Sequence, residues 1–206
     1  MSLNKFLVKK FGDVKTPPPQ ARQMLSLVGD ELQRPDSRFF EPSCGDGNFL
    51  SLVLREKLKY CQKRYYRKPH ELASFSFICL ASLYGIDIQD ENVIKTRENL
   101  SDIFLKETKN SHSAPIGSAV KHVLSKNIMT ADTLLIQETD TGLVFSQWAM
   151  IGTTLIQRQD FRFYNLAAPT SFKAERTDEK EKSNFVIEPI KKLFPSRRIQ
   201  DLVLDA

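Results

Sequence analysis

The residue types most able to do chemistry stand together in Phe39–Leu50, which reads FFEPSCGDGNFL. Glu41 precedes a proline, and Cys44, Gly45, Asp46 and Gly47 then lead into an apolar helical pattern. This is the form of a strand, a glycine turn and the first turn of a helix. Glycine there lets a ligand approach the backbone closely, because no side chain stands in the way. Backbone N–H groups and the positive end of the helix would face that ligand. Glu41 and Asp46 make a bare pyrophosphate a poor partner. A cationic or polyhydroxylated ligand suits them better, since carboxylates attract an ammonium and accept hydrogen bonds from hydroxyls. A plain strand–turn–helix with no ligand is the alternative. Cys44 has no basic residue near it in sequence, so it reads as a small packing residue of the turn and not as a nucleophile.

A second carboxylate, Asp87, ends the stretch Ala73–Asp87, ASFSFICLASLYGID. Its continuous apolar run suits a strand buried on both faces, as in a parallel sheet. Ligands of open α/β sheets bind outside the carboxyl ends of the strands. A carboxylate at that position can accept both hydroxyls of a ribose. Helices are expected over Gln20–Gln33, Asn48–Lys59 and Asn92–Leu105 from their apolar stripes. A short strand and turn are expected within Val120–Leu135, so that strands near Arg38, Phe75 and Val123 alternate with helices. The Pro17-Pro18-Pro19 run behind Thr16 suits the first turn of the first of these helices.

E-P-x-C-G-D-G-N-F-L over Glu41–Leu50 resembles the first motif of class I S-adenosylmethionine-dependent methyltransferases, and is close to the adenine-specific (N6) DNA methyltransferases of restriction–modification systems. GDVKTPPPQARQML, Gly12–Leu25, resembles the segment that precedes that motif, GIDI the second motif, and TADTL the third. The resemblance covers roughly residues 11–135. A single Rossmann-like α/β domain is expected over 1–170, a mostly parallel sheet with helices on both faces, with a charged extension over 171–206 that could dock on it, the last third lying beyond the resemblance. The resemblance implies S-adenosylmethionine as cofactor, held by Glu41, Cys44, Gly45, Asp46, Gly47, Asn48 and Phe49 of the first motif. Thr16 would close over the methionine end, Asp87 and Ile88 would meet the ribose side, and Asp132 the adenine amine. DNA is the implied substrate.

The family's catalytic signature is Asn, Asp or Ser, then Pro-Pro, then an aromatic. An amide and a proline carbonyl take hydrogen bonds from the target amine while the aromatic stacks on the extruded base. No Pro-Pro pair follows Pro19. Ser146, Gln147 and Trp148 stand roughly where the signature belongs, without its prolines, and are weak catalytic candidates only. Two readings follow. One is a methyltransferase of the adenine DNA type, alone or with a partner subunit that supplies target recognition. The other is a catalytically silent cofactor-binding subunit that binds DNA or a partner. A nicotinamide-dependent oxidoreductase is a weaker third, opposed by Glu41 and by the Thr-Pro-Pro turn.

Composition sets the bounds. The 206 residues suffice for one sizeable core, with 41% hydrophobic and 27% charged residues as in ordinary globular proteins. A net charge of +5 is compatible with a nucleic-acid partner. Three scattered cysteines make neither a disulfide framework nor a zinc site, and suggest reduced thiols and a cytoplasmic location. No run is long or apolar enough to span a membrane, and Met1–Lys10 lacks the apolar core of a secretory signal. REKLKYCQKRYYRKPH, Arg55–His70, interleaves basic residues with tyrosines. That pattern suits phosphate tracking and base stacking, or simply a solvated helix end. Ala174–Ser183 is a mixed-charge stretch with no apolar face, expected to be exposed or disordered, and Phe185–Ala206 could dock as a short helix or strand.

Overall fold

The computed structural model describes residues 17–109, 111, 115–138, 142–162 and 193–205. Ala174–Ser183 and Thr16 lie outside the described residues. Helix α1 (Pro18–Leu27) starts on the prolines and is followed by one turn, α2 (Gly29–Leu32). Strand β1 (Phe39–Glu41) leads through the glycine turn into α3 (Asn48–Tyr65). Helix α4 (Pro69–Ala81), β2 (Leu83–Asp87) and α5 (Asp90–Thr108) follow, then α6 (Gly117–Asn127), β3 (Ile128–Thr130) and α7 (Thr133–Glu138). Strands β4 (Val144–Ile151) and β5 (Leu155–Arg162) form a hairpin, and Ile199–Asp205 is a 3-10 helix.

The fold is α/β. Its central sheet has the order β1-β2-β3, all parallel, with Glu41 opposite Gly85 and Asp87 opposite Thr130. Every residue of β2 is buried, as a middle strand of a parallel sheet requires. Gly85 faces the turn and α3. A Cβ there would stand 3.1 Å from both Cys44 Sγ and Leu50 Cδ1. Tyr84 and Ile86, on the other face, pack against Phe145 of the hairpin, which forms a separate two-stranded antiparallel sheet. That face therefore has strand cover where helices were expected.

Two strand expectations are corrected. Ala73–Ala81 belongs to α4, and only Leu83–Asp87 is strand. Ser74, Ser76 and the run Phe77–Ala81 are all buried, so the second half of the helix shows no solvent face. Without that face there is no 3.6-residue period to separate it from a buried strand. Val123 likewise lies in α6, and the strand follows at Ile128. Helix α3 also runs on to Tyr65, past the expected end at Lys59.

Residues 193–205 are part of the domain, not an appendage. Arg197 pairs with Ile156 through two backbone hydrogen bonds of 2.7 and 2.9 Å, and Ile199 and Leu202 enter the main core. Among the described residues no helix is long and apolar enough to cross a membrane.

Candidate functional site

Parallel strands send all their carboxyl ends to one edge, so the loops after β1, β2 and β3 meet there. Glu41 is the last residue of β1 and Asp87 the last of β2. Between them runs the glycine turn, with Gly45 at φ 54° and Gly47 at φ 79°. Left-handed backbone of this kind is open to glycine at little cost. Four contacts hold the turn. The Cys44 N–H donates to the Ile86 carbonyl at 2.9 Å, and the Gly45 N–H donates to Asp87 Oδ2 at 2.9 Å. Thr96 Oγ1 donates to the Gly45 carbonyl at 2.9 Å and Asn99 Nδ2 to the Asp46 carbonyl at 2.9 Å.

Asp87 is only 5% exposed and accepts two further hydrogen bonds on Oδ1, from Gln89 N–H at 2.9 Å and Asn92 Nδ2 at 3.1 Å. A carboxylate has about four lone-pair sites, so three protein donors leave room for one more. Asp87 is thus first a clamp on the glycine turn, and both hydroxyls of a ribose would have to displace a donor such as Asn92. Sequence reading missed Asn92, Thr96 and Asn99. Their spacing along α5 puts them on one helical face, which is the signal that could have found them.

Glu41 has the opposite character. Its Oε2 is buried and has no hydrogen-bond partner. Burial, then the nearby Asp87 and Asp46 carboxylates, push its pKa up to about 8, partly offset by the Leu50 backbone N–H. Burial, then Asp87 and Glu41 nearby, push the Cys44 thiol up to about 12, partly offset by the Thr96 hydroxyl. A thiol so reluctant to ionise is no nucleophile, and Cys44 Sγ packs against Gly85.

The remaining cofactor candidates divide. Ile88 is 53% exposed at the carboxyl edge, beside Asp87. Asn48 is exposed in a cavity of about 620 Å³ between α3 and α5, whereas Phe49 packs against the core. Asp132 caps α7: its Oδ1 accepts from the Leu134 N–H at 2.9 Å, and its Oδ2 takes no hydrogen bond from the described residues. Thr133 Oγ1, one residue on, donates to the Pro42 carbonyl at 2.5 Å and ties this loop to the turn after Glu41.

Ser146, Gln147 and Trp148 are not brought to this edge. The Ser146 hydroxyl donates to Asp160 Oδ1 at 2.7 Å and accepts from Arg158 Nε at 3.0 Å, inside the hairpin. Trp148 is 5% exposed, with Nε1 3.4 Å from Asn127 Oδ1 and its ring 5.9 Å from that of His122. Gln147 and Trp148 line a cavity of about 1050 Å³ with Ser37, Arg38 and Ser82, the residues that precede β1 and β2. That is the amino end of the sheet. It is also the end where Lys57, fully buried, donates to the Ser37 carbonyl at 2.5 Å and to Ser82 Oγ at 2.6 Å. Burial holds the Lys57 ammonium down to about 8. This larger cavity contains none of the converging carboxylates.

No group of side chains among the described residues has the make-up of a metal site. Comparison with family models, with curated proteins and with solved structures gave no match.

Proposed function

We propose that the chain binds S-adenosylmethionine at the carboxyl edge of its parallel sheet, as a domain of the adenine-specific DNA methyltransferase type. The observation that carries this reading is Glu41, whose buried Oε2 lacks a partner beside Asp87 and Asp46. A buried carboxyl kept protonated by neighbouring carboxylates can ionise once a cationic ligand sits beside it, and S-adenosylmethionine brings an ammonium and a sulfonium. Its remaining polar groups also find acceptors: Asp87 retains one lone-pair site and Asp132 a free oxygen. The bound cofactor would supply an electrophilic methyl group for an exocyclic amine of DNA. The chain's own part is to hold the methionine end at Glu41 and to keep the turn open through Asp87, Thr96 and Asn99.

A second reading has its own observation. Ser146 and Trp148 are occupied within the hairpin and the core, so the described residues offer no amide–proline–aromatic anchor at the carboxyl edge. Such positioning can supply roughly 7–11 kcal/mol of the barrier reduction. The chain alone is therefore expected to bind the cofactor yet transfer methyl groups slowly or not at all, with a partner subunit completing the site.

Calorimetric titration with S-adenosylmethionine tests the first reading, and transfer of a labelled methyl group to unmethylated duplex DNA tests the second. Glu41→Ala is expected to weaken binding by about 10-fold or more, the equivalent of one charged hydrogen bond. Absence of binding by the native chain would overturn the cofactor reading. Methylation at ordinary enzymatic rates by the chain alone would overturn the silent one.

A further inference from the structure

The corner between α3 and α4 is the part of the basic Arg55–His70 stretch that the candidate site leaves unexplained. Lys63 and Arg64 lie in the last turn of α3, and Arg67 and Lys68 lie in the connection to α4; all four are exposed. Cations in a last helical turn are favoured by the helix dipole, which accounts for Lys63 and Arg64. It does not account for Arg67 and Lys68, which stand beyond the helix. Lys68 reaches Glu71 at 3.0 Å, a solvent-exposed pair of small worth. Lys63, Arg64 and Arg67 have no carboxylate within ion-pair distance among the described residues.

The tyrosines of the stretch have separate tasks. Tyr65 stacks on Phe75 of α4, with centroids 4.4 Å apart and planes 11° from parallel, and so belongs to the packing. The Lys68 N–H donates to the Tyr65 carbonyl at 2.8 Å and closes the turn. The corner is thereby fixed to the core. Tyr66 instead is 63% exposed, with the Arg67 guanidinium 5.1 Å from its ring centroid.

We propose that this corner, Lys63, Arg64, Arg67 and Lys68 around Tyr66, is a docking surface for the phosphate backbone of duplex DNA. Four cations on an anchored turn match a row of fixed phosphates, and the two arginines can bind a phosphate through paired N–H groups. A single exposed aromatic ring among four cations fits a sugar–phosphate edge better than a lipid surface. Helix α3 begins at the glycine turn and has 18 residues. The corner therefore lies roughly 25 Å along it from the candidate site, about seven base pairs of duplex. The proposal takes its partner from the DNA reading above, but it concerns surface residues remote from the cofactor edge.

Fluorescence anisotropy with a labelled unmethylated duplex tests it, at about 50 and about 200 mM salt. The full chain carrying Lys63→Gln, Arg64→Gln, Arg67→Gln and Lys68→Gln is expected to bind at least about 10-fold more weakly. Its slope of log K against log salt should be shallower by about 0.9 for each phosphate that is no longer neutralised. A control chain with Lys95→Gln, Lys109→Gln, Lys121→Gln and Lys126→Gln has the same change in charge and should stay within about twofold of the native affinity. Equal reductions in both chains would overturn the proposal, as would unchanged binding by the first. Binding to phosphatidylserine vesicles but not to DNA would also overturn it, and assign the corner to membranes. The S-adenosylmethionine titration should be the same for all three chains, so failure here and failure of the cofactor reading are separate results.

Discussion

Glu41 ends β1 with a carboxylate oxygen that is buried and unpartnered, and an ionised group in that state costs free energy. Its pKa is raised from 4.5 to about 8, first by burial and then by Asp87 and Asp46. The folded protein therefore holds a proton that the unfolded chain releases between those values. The stability contributed by the protonated carboxyl is complete below about 4.5 and is lost as pH rises through about 8. Glu41→Gln is expected to change little near pH 4 and to add up to about 5 kcal/mol above about pH 9, at about 1.4 kcal/mol for each pKa unit between 4.5 and about 8. Urea unfolding midpoints at the two pH values measure this. An equal effect at both would show that ionisation of Glu41 is not penalised in the folded state.

At the scale of elements, the glycine turn is held by α5 as much as by its own sequence. A Cβ on Gly47 would lie 2.8 Å from Thr96 Cγ2 and 2.9 Å from Thr96 Oγ1. Gly47 also has φ 79°, where a side chain costs about 1–2 kcal/mol. Gly47→Ala is thus expected to destabilise by about 2 kcal/mol or more, because Thr96 would have to turn away from the Gly45 carbonyl. Chemical denaturation would record the loss as a lowered midpoint. A midpoint within error of the native one would mean that the turn is looser than these contacts require. The β4–β5 hairpin is organised by a buried polar group of its own. Arg158 meets both oxygens of Asp160, Nε to Oδ1 at 2.7 Å and a terminal guanidinium nitrogen to Oδ2 at 2.8 Å, and Ser146 joins them. This network is the physical reason that Ser146 faces inward.

At the scale of the molecule, the main core receives side chains from distant parts of the chain. Leu25, Leu50, Phe77, Leu100, Val120 and Leu202 all belong to it. Leu202, fully buried on the 3-10 helix, couples residues 193–205 to α6. Leu202→Ala is expected to cost about 2–5 kcal/mol, as for other large-to-small core changes. Thermal unfolding should show it as a lower single transition. An unchanged midpoint would mean that the C-terminal segment is an accessory and that the domain closes without it.

Local chemistry made part of this protein legible in its sequence. Glycines at Gly45 and Gly47 mark a turn because few other residues adopt that backbone, and prolines at Pro17–Pro19 mark a helix start because they lack an N–H. Glu41 before the turn and Asp87 after an apolar run were readable as carboxylates at strand ends, since strand ends are where such runs stop. The tertiary structure decided the rest. Residues Ala73–Ala81 could be helix or strand until their surroundings were known, for burial on every side erases the period that distinguishes the two. The partner of Ser146 is 14 residues away and that of Trp148 is 21, so no local pattern could show that both were already engaged. Asp87 was readable as a ligand-facing carboxylate, but the Gly45 N–H that occupies it comes from 42 residues earlier. A lone pair can be counted as free only after every donor that the fold brings to it is known.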